Sequence, residues 1–162
     1  MELTQERLKK LLHYDPETGI WTWLQWRSQM PPGSRAGTRR TDGRWIINVQ
    51  GRRYLCSRLA FFYMTGEWPA VLVDHINRDG GDDRWCNLRS ATFSQNSSNK
   101  KMRSNNTTGY IGVQWSEERQ KWVVYVNQQY VGRYTNLDEA VKARDYHTAI
   151  KHGAFAVLNQ EE

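Results

Sequence analysis

The sequence predicts an α+β protein, on three observations. Short stretches such as "IWTWL" and "KWVVYVN" alternate with the period of a strand. Other stretches carry helical signals, "LTQERLKK", "SRLAFFYMTG" and "LDEAVKARDYHTAIKHG". The composition is that of a folded chain: 38% of the 162 residues are hydrophobic, and eight Trp and eight Tyr enlarge the area that can be buried.

The elements follow in order. Thr4 is placed to cap a first helix whose apolar stripe is Leu8, Leu11 and Leu12. "DPETG" is a turn. In "IWTWL", Ile20, Thr22 and Leu24 share one face, and Trp21 and Trp23 the other. "RWIINV" and "RRYLC" flank Gln50-Gly51 and read as a hairpin. "SRLAFFYMTG" reads as a helix closed by Gly66. "WPAVLVDHI" supplies a strand, "RDGGDD" a long turn, and "CNLRS" an antiparallel return strand. "ATFSQNSSN" then begins a helix capped by Ser90 or Thr92. Together these form a strand–turn–strand–helix unit at about residues 70–99 within a first domain, 1–96, whose earlier part is a small α/β segment.

Residues 97–108, rich in Ser, Asn and Thr, read as a basic linker. Beyond it, 109–162, come "YIGVQW", "KWVVYVN", "QYVGRY" and a helix ending at Gly153. This predicts a three-stranded antiparallel sheet packed on one helix. Trp122, Val124 and Val126 should face that helix, where Ala140, Ala143 and Ala149 permit close approach. Val123, Tyr125 and Asn127 should face away. Trp26 and Trp68 read as core.

The formal charge is +6 and the isoelectric point about 9.5, which points to an anionic partner. Residues 1–100 carry 15 basic and 10 acidic side chains, and residues 101–162 carry 8 and 7. No apolar run approaches the roughly 20 residues of a spanning helix, and no secretory leader follows Met1. The expectation is an intracellular protein with no membrane partner. Cys56 and Cys86 are the two cysteines and form no CxxC, which excludes a disulfide framework and a cysteine zinc site. His147 and His152 lie five apart, a spacing that shares a helix face poorly, and are not read as ligands.

"VDHINRDGGDDRWCNLRSATFSQN" carries the chemistry. Hydrolysis of a phosphodiester needs a base to activate water and a cation to neutralise the leaving oxygen. Histidine suits the first task because its ordinary pKa is about 6.5. Oxygen donors suit Mg²⁺, which retains several waters. Adjacent strand residues point to opposite faces, so Asp74 and His75 can serve one site only at a bend or a strand end. A helix after the hairpin would place the Asn96 amide oxygen toward the Asp74 carboxylate.

"VDHIN…DDR…NLR…N" resembles the HNH homing endonucleases, in the variant with Asn at the third motif position. "YDPETGIWTW", "AGT", "SRLAF" and "TGEWP" resemble the N-terminal half of the phage-type members, so the likeness covers roughly residues 10–100. It implies a ββα-metal nuclease unit with His75 as general base. Asp74 and Asn96 would hold one divalent cation, Mg²⁺ or Mn²⁺ and not zinc, and Asn87 would brace the loop that positions His75. Two positions depart from the family: Asp83 stands where Asn is frequent, and Ser57 where His is frequent. Both are expected to lie outside the metal's ligands.

"GYIGVQW…KWVVYV…VGRYTNLDEAVKARDYHTAIKHG…LN" resembles the Apetala-2 (ethylene-response-factor) DNA-binding domain across residues 109–159. Carried over position by position, its sheet contacts fall on Ile111, Gln114, Tyr125, Asn127, Gln128 and Tyr130. None of these is the Arg that several are in the plant proteins. Gln and Asn pair with adenine edges, and Arg119 and Lys121 suit phosphates. Lys100, Lys101 and Arg103 in the linker would run along the DNA backbone.

The whole reads as an endonuclease on double-stranded DNA that acts as a monomer. It would nick at a preferred site to leave 5′-phosphate and 3′-hydroxyl ends. The rival is a non-catalytic DNA-binding regulator with a silent HNH remnant. A third reading, an RNA-binding module, rests on charge and aromatic content alone.

Overall fold

Thr4 opens the first helix, α1 (Gln5–Leu11), by accepting the Arg7 N–H on its hydroxyl, at 3.2 Å. The computed structural model describes residues 2–98, 102 and 106–159. The chain divides into two compact units, 1–93 and 94–162. The linker cations Lys100, Lys101 and Arg103 lie outside the described residues.

In the first unit, α1 gives way to a strand that the sequence reading folded into the helix. Leu12 has extended backbone and begins β1 (Leu12–Tyr14). Its side chain is fully buried all the same, since the chain turns without leaving the core. β1 pairs antiparallel with β2 (Trp21–Trp23), whose two Trp point inward as alternation requires. The "DPETG" turn between them is closed by Asp15, which accepts from Glu17 N–H, Thr18 N–H and the Thr18 hydroxyl.

A second sheet orders β3 (Thr38–Arg39), β4 (Trp45–Val49) and β5 (Arg52–Leu55). Gln50 and Gly51 join the last two with φ of 53° and 82°, the left-handed pair that matches hairpin twist. α2 (Cys56–Thr65) buries Leu59, Ala60 and Phe62 and ends at Gly66, whose φ of 80° is the left-handed cap. Trp68 stacks on Phe62 and Tyr54 and is half-buried against the core. Trp26 is not: it is 72% exposed. Both cysteines are free. β6 (Leu72–His75) and β7 (Leu88–Ala91) form an antiparallel hairpin of their own. α3 (Phe93–Ser98) follows at the division between the units. Of the two expected caps, Ser90 lies inside β7, and Thr92 immediately precedes the helix.

The second unit holds β8 (Val113–Ser116), β9 (Lys121–Val126) and β10 (Gln129–Tyr134), antiparallel in the order β10-β9-β8, and α4 (Leu137–His152). Asn136 caps α4 by accepting the Asp138 and Glu139 N–H groups. Val113 and Val124 pack on Ala140 and Val141, with Trp122 and Tyr134 beside them. Ala149 is exposed, against expectation. The buried face of α4 runs instead through Val141, Arg144, Asp145 and Thr148. Arg144 pairs with Asp145 and donates to the Val157 carbonyl. Asn159 donates to the Asp145 carboxylate and makes reciprocal bonds with Ile111. The closing "LN" thus ties the end of the unit to its beginning. Gly112 is required there: a Cβ would lie 2.4 Å from the Tyr125 carbonyl oxygen.

Candidate active site

Hairpin register decides which groups meet. Asp74 lies opposite Arg89, and His75, the last residue of β6, lies opposite Leu88. The chain leaves the strand at once: Arg78 N–H donates to the His75 carbonyl at 3.0 Å, with Arg78 at a φ of 64°. Asp74 and His75 are both buried, each against a different partner. Asp74 Oδ2 accepts from Arg89 Nε at 2.9 Å and forms an ion pair with Arg89 Nη2 at 2.8 Å. His75 Nε2 lies 2.9 Å from Asp83 Oδ1.

Asn87 ties the two sides of the intervening loop. Its Oδ1 accepts the Asn77 N–H at 2.9 Å, and its Nδ2 donates to Asn77 Oδ1 and to the Asp82 carbonyl at 3.0 and 2.8 Å. Asp82 and Asp83, adjacent in sequence, divide their tasks. Asp82 looks outward to Arg84 and Asn77. Asp83 looks inward to His75 and is 4% exposed. Burial pushes the Asp83 carboxyl above the ordinary range, and the bond to His75 opposes that shift.

The Arg84 side chain holds the Asp82 carboxyl down, at about 2. The sign of its effect on stability follows. A carboxyl whose folded pKa is depressed stabilises above its unfolded value, roughly 3.9, and loses that contribution as pH falls through its folded value. Asp82→Asn should therefore be less stable than wild type at pH 7. The gap in urea midpoint should close between about pH 4 and pH 2. A gap unchanged across that window would show that Asp82 does not act through its charge.

The backbone of Asp83 is gripped from the N-terminal turn. Tyr14 OH donates to its carbonyl at 2.7 Å, and burial raises the Tyr14 phenol well above its ordinary value. A Cβ on Gly19 would lie 2.5 Å from the Asp83 carbonyl carbon, and Gly19 has a φ of +72°. Only glycine fits both conditions. The "DPETG" turn is thus the wall against which the hairpin loop rests.

Asn96 sits half-buried on α3. Carboxylate and amide oxygens are the donor type that suits a hard cation that keeps waters. Among the described residues, no three His, Cys, Asp or Glu side chains gather as a metal cage.

In the second unit, the sheet face opposite α4 shows Gln114, Lys121, Tyr125 and Tyr130. Arg119 is exposed in the turn before β9. Asn127 departs from expectation. Strand alternation ends at Val126, and Asn127 and Gln128 form a left-handed turn with φ of 50° and 65°. The Asn127 amide reaches His152 at the end of α4, 3.1 Å away. Arg133 takes a place on the open face that alternation denies it. A bulge between Tyr130 and Gly132 shifts the register, sets Arg133 opposite Val123, and lets its Nε donate to the Tyr130 hydroxyl at 3.0 Å.

Three contacts in this geometry are not foreseen from the sequence: the inward turn of Asp83, singled out there only as a departure from the family, the pairing of Arg89 and the placement of Arg133. Arg89 had a usable signal, since hairpin pairing across the loop sets it opposite Asp74. The loop fold and the bulge that place the other two leave no periodic trace.

Residues 54–98 match the HNH endonuclease family model. The chain is also 39% identical over 88 residues to Protein 3.8 of Escherichia phage T7, a span of 52% of this chain and 72% of that protein. The chain belongs to the family of phage T7 Protein 3.8 and carries an HNH endonuclease domain. At that level it is a nuclease, a hydrolase acting on DNA. The HNH match covers β6, β7 and α3 and begins within β5. No solved structure matches the chain significantly. Among the described residues, no helix is long and apolar enough to cross a membrane.

Proposed function

We propose that the protein is a metal-dependent HNH endonuclease of the homing type that nicks duplex DNA at a preferred position. The observation that carries this is the pair Asp74 and His75, set at the end of β6 inside the matched HNH segment, with Asn87 bracing the loop between the strands. The region from β6 to α3 is read as the ββα-metal unit. His75 takes the proton of a water as its oxygen attacks phosphorus. The bond to the 3′ oxygen breaks, leaving a 5′-phosphate, and the 3′ oxygen gains a proton from solvent. Asp74 and Asn96 would hold one divalent cation, Mg²⁺ by donor chemistry. When bound, it neutralises charge on the leaving oxygen.

The second unit is read as an Apetala-2-type DNA-binding module. Support comes from its three strands on one helix and from a face that combines Gln114, Lys121, Tyr125, Tyr130 and Arg133. Such a sheet suits a major groove. As a phosphate contact, Arg133→Ala should weaken duplex binding about uniformly across sequences and reduce the salt slope by about 1. Titrations at several salt concentrations measure both, and an unchanged slope with unchanged affinity removes Arg133 from the interface.

Two unlike modules suit a monomer on an asymmetric target, because two-fold dimers demand near-palindromic sites. With Mg²⁺ at limiting enzyme, supercoiled plasmid carrying a target should become open circle before linear product appears. Linear product from the first time points would mean paired sites. No conversion with any divalent cation, alongside retained DNA binding, would favour a regulator with a silent nuclease unit.

A further inference from the structure

Asp83 has a buried carboxylate that stability alone does not explain. Removing a carboxylate from water is costly even when it is paired, and an apolar side chain of similar volume is frequently no worse. Here the group is 4% exposed and its backbone is fixed on two sides, by the Tyr14 hydroxyl and by Gly19. Its Oδ1 lies 2.9 Å from His75 Nε2, and His75 is itself 8% exposed. Its neighbour Asp82 turns the other way and makes the charge pair with Arg84.

We propose that Asp83 is a positioning residue for His75, holding the Nε2–H so that the basic lone pair stands on Nδ1. The inference rests on the reading of His75 as general base. A neutral imidazole carries its proton on one nitrogen, and the partner of that nitrogen selects the tautomer and the ring orientation. A carboxylate at Nε2 selects Nε2–H. It also faces the positive charge that His75 acquires when Nδ1 takes the proton of water. The proton moves from water to Nδ1, and Nε2–H stays in place. Tyr14 and Gly19 belong to the same device, because they fix the backbone that carries the carboxylate.

The test has two arms. In the first, ¹⁵N spectra of the wild-type chain without metal report the His75 tautomer. Variants at the three other histidines, His13, His147 and His152, assign the signal. Nε2–H should dominate at a pH where the ring is neutral. A dominant Nδ1–H form would overturn the proposal without any variant at Asp83. In the second, Asp83→Leu should lower kcat by about 10²-fold with KM for a target duplex nearly unchanged. Asp83→Asn can accept through its oxygen or donate through its amide, so its kcat should track its Nε2–H fraction. Asp83→Leu with wild-type kcat and a wild-type tautomer would overturn the proposal. If His75→Ala cuts like wild type, the base assignment itself fails. If His75→Ala is inactive and Asp83→Leu is not, this inference fails alone.

Discussion

Replacing His75 with alanine should lower the rate of cleavage by about 10²–10⁴-fold and leave duplex affinity nearly unchanged. A general base acts on water in the transition state, so its loss appears in kcat and not in binding. The geometry adds a complication. His75 and Asp83 are buried together, so alanine leaves the Asp83 carboxylate without its imidazole partner. An unsatisfied buried group costs about 1–3 kcal/mol, and more when charged. The activity loss must therefore be read on protein shown by urea midpoint to be folded. His75→Gln, which keeps an amide donor able to reach Asp83, is the companion variant: it should recover stability and no activity. Wild-type cutting by either variant would remove His75 from the chemistry.

The sequence carried much of this, for identifiable reasons. Trp21 and Trp23 alternate with Ile20, Thr22 and Leu24, so the strand could be read directly; with apolar residues on both sides, alternation alone did not say which face is buried. Gly66 and Gly153 marked helix ends because both take a positive φ that favours glycine, Gly66 as a left-handed cap. The Asp-His pair drew attention through its spacing to the later Asn residues. Contacts that depend on loop path stayed hidden. Asp83 reads as one more acid in "RDGGDD", and nothing local says that it turns inward while Asp82 turns outward. Arg133 differs by three from Tyr130, which in an unbroken strand puts the two on opposite faces. One bulged residue reverses that. Asn127 shows the converse, since alternation was carried one residue past the strand into a turn where it no longer holds.

Asp74→Ala should abolish cleavage and, separately, destabilise the fold, because Asp74 serves two partners of like charge. One is the cation it is proposed to hold, and the other is Arg89, whose Nε and Nη2 both meet its Oδ2. Removing one member of a fully buried pair costs about 3–5 kcal/mol; Arg89 is 17% exposed, so the loss here should fall below that range. Activity and stability can be pulled apart. Asp74→Ala combined with Arg89→Met leaves no orphan charge and should regain most of the lost stability while staying inactive at every Mg²⁺ or Mn²⁺ concentration. Arg89→Met alone leaves the Asp74 carboxylate without its guanidinium. That variant should be destabilised without metal and should gain more from added Mg²⁺ than wild type does. A ligand that binds only the folded state raises stability by RT ln(1 + [L]/Kd), and loss of the competing cation lowers Kd. Urea midpoints against Mg²⁺ concentration for the four proteins, with cleavage rates under the same conditions, decide the matter. Arg89→Met insensitive to Mg²⁺, or Asp74→Ala with wild-type metal dependence of cutting, would show that Asp74 holds the hairpin together and does not hold the cation.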